Sequence, residues 1–151
     1  MLFEAIRLNL MQGLIMINLL EEIGIGSANQ GEKMEILNTN GKSLTDIEED
    51  KPFLVLLGKD SDEFRSVEGE LQFKLVSARI EDDDYRETAK ETTERVNTLM
   101  TSCVVGWGNI WNEDMLLDFN PENARYLFDN SPSLVDQANV FIGKRENFLK
   151  K

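Results

Sequence analysis

Apolar residues along this chain follow three different rhythms. The first twenty positions are apolar almost throughout, and Leu8 to Leu20 carries no charge. Two short runs follow, "MEIL" and "PFLVLLG", rich in branched and aromatic side chains and set off by glycines and turn residues, which predicts strands. "NTNGKS" lies between them and contains Asn40-Gly41, a strong turn signal because both positions tolerate positive φ. From Asp60 onward the spacing changes to three and four. Phe64, Val67, Leu71, Leu75 and Ala78 share one helical face. Phe73, Val76 and Ile80 add a second side, which predicts contact with two neighbours. A second helix is predicted through Tyr85, Ala89, Thr92, Val96, Leu99 and Cys103, joined to the first by the acidic turn Glu81 to Asp84.

Punctuation residues sharpen these limits. Asp60 is the predicted N-cap of the first helix and Glu63 the returning carboxylate of a capping box. Towards the end, Asn120-Pro121 and Ser131-Pro132 repeat one start signal. Asn or Ser accepts a hydrogen bond from a free backbone N–H, and proline at the first helical position loses nothing by lacking its own. The first of these helices, Pro121 to about Asp129, is expected to bury Ala124, Leu127 and Phe128. The second is expected to bury Leu134, Val135, Ala138, Phe141, Ile142, Phe148 and Leu149, with Lys144, Arg145, Lys150 and Lys151 at its negative end. Two starts so close together predict a sharp corner that folds the last helix back onto the rest.

The predicted fold is mainly α with a minor β part: a helical bundle with a small N-terminal β-hairpin and an apolar N-terminal helix. Residues 1–31 form that helix and a flexible linker, and residues 32–151 a single domain. Within the domain the pattern gives a β-hairpin at 32–58, a helical hairpin at 59–105, a Trp-containing connection at 106–120 and C-terminal helices at 121–151. The uncharged N-terminal run of 13 residues is shorter than the ~20 a membrane span needs. Glu4 also sits where a signal peptide would be positive. A soluble helix with an exposed apolar face is expected, and no membrane partner.

Charge and chemistry narrow the function. Acidic residues number 28 against 16 basic, a net charge of -12, which repels phosphate backbones and disfavours nucleic acid as a partner. The chain has no histidine, the commonest general base near neutral pH and the commonest zinc ligand. Cys103 is its only cysteine, so no disulfide can form within the chain, and a reducing cytoplasm fits. Gly24-Ile25-Gly26 lacks the third glycine, strand and lysine of a phosphate loop. Glu81 to Asp84 lacks the ligand spacing of a calcium loop. Ser61, Ser102 and Ser133 have no histidine to activate them. No catalytic, cofactor-binding or metal-binding residue is predicted.

Two features ask for a partner. "VVGWGNIW" places Trp107 and Trp111 in a glycine-punctuated segment, where the indoles either pack inside or line a binding groove. The N-terminal row Leu2, Phe3, Ile6, Leu10, Leu14 and Ile17 is core if it docks, and otherwise a surface for a client or a second copy. These eight residues are the candidate partner-binding set.

The same residues carry a resemblance. "LLGKDSDEFR" resembles the strand-to-helix opening of tail assembly chaperones from long-tailed bacteriophages. "CVVGWGNIW" followed by "DFNPENARYLFDNSPSLVDQANVFIGKRENFLKK" resembles their C-terminal half, and the likeness covers roughly Met34 to Lys151. It implies a small, acidic, mainly helical and non-enzymatic protein of the host cytoplasm. Such a protein would bind the tape measure protein, help recruit tail tube subunits, and be absent from the mature virion. A structural virion component, such as a minor tail or head–tail completion protein, is the alternative. An acidic decoy for a nucleic-acid-binding host protein comes third, and an enzyme last.

Overall fold

The computed structural model describes residues 23–149. Three strands, β1 (Glu32–Glu35), β2 (Phe53–Leu56) and β3 (Val104–Gly108), form an antiparallel sheet in the order β1-β2-β3. Among the described residues, four α-helices longer than one turn complete the body: α1 (Asp62–Glu81), α2 (Ala89–Cys103), α3 (Pro121–Asn130) and α4 (Pro132–Gly143). A small hairpin, β4 (Trp111–Asn112) with β5 (Met115–Leu116), stands between β3 and α3. The fold is mainly α with a minor β part, as the periodicity predicts.

The sheet is built by alternation. Met34, Leu54, Leu56 and Val104 turn inward and are buried. They meet Leu99, Met100 and Cys103 of α2, Phe128 of α3, and Leu134, Ala138 and Ile142 of α4 in one core. On the other face Lys33 sits over the Phe53 ring, 4.2 Å from its centroid. β1 pairs with β2 as the sequence predicts. Asn40-Gly41, however, closes its own small loop, with Gly41 at φ +79° and Leu37 bridged to Ser43.

The third strand replaces the first part of the expected Trp-containing connection. Val104, Val105 and Trp107 have strand character, but Gly106 and Gly108 between them hide it. Gly106 lies opposite Val55 and Gly108 opposite Phe53, and at Gly108 the packing requires glycine. A Cβ on Gly108 would come within 2.5 Å of the Phe53 ring, so the aromatic occupies the space glycine leaves.

Three helix limits differ from expectation. Ser61, not Asp60, caps α1, its Oγ accepting from Phe64 N at 3.2 Å. Asp60 instead takes a forked ion pair from Arg145, with Nε at 2.7 Å and Nη2 at 3.0 Å. The capping box belongs to α2, where Thr88 and Glu91 bond each other's backbone N–H, so this helix begins four residues after Tyr85. Finally, α4 stops at Gly143, and a 3₁₀ turn (Arg145–Phe148) carries Phe148 into the interior. Arg145 therefore pairs across the body rather than lying along a helix end.

The corner forms as predicted. Asn120 Oδ1 accepts from Asn123 N at 2.7 Å, and Ser131 Oγ from Leu134 N at 3.2 Å, each beside a first-turn proline. Ser131 alone ends α3 and starts α4. Residues 24–31 are not a flexible linker. Ser27 N donates to Phe148 O at 2.7 Å, Gly58 N to Ala28 O at 3.0 Å, and Ala28 is buried. Gly26 adopts φ +55°, and a Cβ there would run into the Phe148 carbonyl. The boundary expected at Gly31 thus falls inside packed structure, and the predicted N-terminal helix lies outside the described residues.

Candidate partner-binding surface

The two tryptophans part company. Trp107, on β3, is half-buried against the core; its Nε1 donates to Leu117 O at 2.9 Å and its ring meets Phe119 edge-on at 5.1 Å. Both the indole's apolar body and its one donor are engaged within the fold. Trp111 is four residues further on and 60 % exposed. It lies opposite Leu116 across the β4–β5 hairpin, with Met115 beside it, and these two side chains are 53 % and 70 % exposed. The structure therefore does not bring Trp107 and Trp111 into one groove.

The hairpin is held from both sides. Asn109, at φ +58°, donates through Nδ2 to the carbonyls of Glu49 and Lys51, at 2.9 and 3.1 Å. Leu117 N closes on Ile110 O at 2.8 Å. Glu113 takes φ +59° at the tip, a left-handed conformation that an L side chain adopts at a cost. Met115 and Leu116 were missed as surface residues in the sequence. The signal was the polar pair Glu113-Asp114 between Asn112 and Met115, flanked by large apolar side chains.

A second apolar surface runs along α1. No residue of this helix is fully buried, although Phe64, Val67 and Leu71 pack against the core from its inner face. On the opposite face Phe73, Val76 and Ile80 are 72, 51 and 77 % exposed. The second neighbour that their spacing predicts is not among the described residues. A third feature, an open groove of about 460 Å³, lies between β1 and α4 and includes Met34, Leu37, Val140 and Phe141. There Gln137 exchanges two hydrogen bonds with the Leu37 backbone, each 2.9 Å, and so imitates a neighbouring strand.

Several titratable groups are engaged in ion pairs and hydrogen bonds within the fold. Arg95 donates to both oxygens of Glu87, at 2.9 and 3.1 Å, and Thr92 Oγ1 donates to the same carboxylate. The Arg95 guanidinium and the Thr92 hydroxyl hold Glu87 below the usual carboxylate range. Arg125 pairs with Asp129 and Glu94, and the buried Asn97 donates to Asp129 at 3.0 Å. Burial pushes the Cys103 thiol up to about 11, so it is a core side chain and a poor nucleophile. In the acidic turn, Asp82 Oδ1 accepts from Asp84 N at 3.0 Å. Among the described residues, no cluster of three or more acidic or cysteine side chains could hold a metal ion. Nor is any described helix long and apolar enough to cross a membrane.

Compared with protein-family models, curated proteins and solved structures, the chain matches none. Of the candidate set, only Trp107 and Trp111 fall in the described structure; Leu2, Phe3, Ile6, Leu10, Leu14 and Ile17 lie outside the described residues.

Proposed function

We propose that this chain is a non-enzymatic assembly chaperone of the long-tailed bacteriophage type, which binds the tape measure protein and helps recruit tail tube subunits. One observation carries the reading: large apolar side chains, Trp111, Met115 and Leu116, face solvent on a braced hairpin of a body with net charge -12. A long apolar client needs contacts of this kind, individually weak and repeated, while like charge keeps the carriers from associating with one another. The motifs behind the resemblance sit at structural junctions. "LLGKDSDEFR" spans the end of β2 and the Ser61 cap, and "DFNPENARYLFDNSPS" spans both starts of the corner.

Action in the host cytoplasm and absence from the finished virion belong to the same proposal. Co-expression with a tape measure fragment tests it. The fragment is expected to move from the insoluble to the soluble fraction and to co-purify with this chain. Unchanged solubility with both chains well expressed would overturn the reading. Recovery of the chain in fixed copy number from purified particles would favour a structural virion component instead.

A further inference from the structure

The α3–α4 corner leaves a pocket against α2. Its volume is about 260 Å³, and Val96 of α2, Phe128 of α3, and Pro132 and Val135 of α4 give it apolar walls. That is below the ~300 Å³ at which pockets for whole small molecules begin, and suits one long side chain.

Three acceptor groups gather at the same pocket, one from each helix. Asn97 lines it and is 4 % exposed. Its Nδ2 donates to Asp129 Oδ1 at 3.0 Å, while its Oδ1 accepts from no donor among the described residues. A buried acceptor without a donor costs stability, so it marks a place where a polar group belongs. Asp129 Oδ1 takes a second bond from Arg125 Nε at 2.8 Å, and neither donor engages Oδ2. Asp136 is exposed and makes no ion pair or side-chain hydrogen bond among the described residues. No lysine or arginine is among the residues that line the pocket; Arg125 itself is not one of them.

Apolar walls with an unpaired amide carbonyl and two carboxylates select a group that is aliphatic along its stem and a cationic donor at its tip. Lysine and arginine have that build. An anion would meet two carboxylates, and an apolar side chain would leave Asn97 Oδ1 unpaired. The net charge of -12 attracts the same kind of partner. We propose that this pocket receives a lysine or arginine side chain of a protein partner, as a basic anchor separate from the apolar Trp111 hairpin. The inference stands whether or not that partner is the tape measure protein.

Amide NMR of the isotopically labelled full chain tests it. The probes are end-blocked glycine-serine peptides with one central lysine, arginine or norleucine, and n-butylammonium. The lysine or the arginine peptide is expected to shift the Asn97 side-chain amide and the backbone signals of Thr93, Val96 and Val135 saturably. The norleucine peptide should leave them in place. Asp136→Asn should weaken binding about fivefold, and Asp83→Asn, which removes a charge from the acidic turn, by less than about twofold. Both positions are exposed, so the fold is kept. An equal response to norleucine would overturn the proposal. So would equal losses in the two variants, which would mean charge attraction without a site. Saturable binding of n-butylammonium with no response to either cationic peptide would overturn the assignment to a partner's side chain. No saturable shift with any probe would overturn the pocket's binding role itself.

Discussion

Helix α1 and the α3–α4 corner are both well-capped helical segments of similar length, yet they use their apolar residues in opposite ways. The corner, residues 121–143, buries Ala124, Phe128, Leu134, Val135, Ala138 and Ile142. The 20 residues of α1 bury none completely and leave three large apolar side chains on the outer face. Capping therefore sets where a helix starts, while burial sets what the helix contributes. The corner is an organiser of the core, and α1 is a surface element fastened by its inner face and by its N-terminal end.

Replacing one phenylalanine in each region is the strongest way to break this contrast. Phe128→Ala removes a ring that is 2 % exposed and should cost about 3–5 kcal/mol in urea unfolding. Phe73→Ala, at a ring that is 72 % exposed, should cost about 1 kcal/mol or less. Similar losses at the two sites would mean that α1 is as integral to the core as the corner. A smaller effect is expected from Ser131→Ala, which removes the cap of α4 and should lower stability by about 1 kcal/mol, readable as a fall in the urea midpoint at unchanged slope.

The smallest effect is expected from acid. Asp129 is held below the ordinary aspartate value of 3.8 by the Arg125 guanidinium and then by Asn97, and Asp60 by Arg145. Their contribution is complete above the unfolded value and is lost as pH falls through the depressed folded values. Unfolding midpoints should hold steady down to about pH 4 and decline below it, with a shallower decline in Arg125→Gln. All of these groups are partly exposed, so the decline is modest. An acid response unchanged in Arg125→Gln would show that its ion pairs do not stabilise the α2–α3 contact.

The contrast also explains what could be read from the sequence. The corner was legible because each of its instructions is local: Asn120 and Ser131 lie three residues from the N–H groups they cap, and each adjoins its proline. Pairing of β1 with β2 was legible from two apolar runs. The third strand was not, because two glycines interrupt its pattern and Gly108 makes sense only once Phe53 is known to lie opposite. Asp60 looked like a cap, but Arg145, 85 positions away, claims its carboxylate and the cap passes to Ser61. Ser27 to Phe148, across 121 positions, turned an apparent linker into packed structure. At the candidate surface, Trp111 was visible as a residue type. Its separation from Trp107 depended on the strand and hairpin that set the two indoles in different surroundings.

The central claim is that the exposed hairpin serves binding and not stability. The most direct test is titration of a tape measure fragment against the native chain and against the triple variant Trp111→Ser, Met115→Ser, Leu116→Ser, with thermal unfolding of both. Affinity is expected to fall by at least about tenfold at an unchanged melting temperature. Undiminished affinity in a folded variant, or a loss of affinity accompanied by a matching loss of stability, would contradict it.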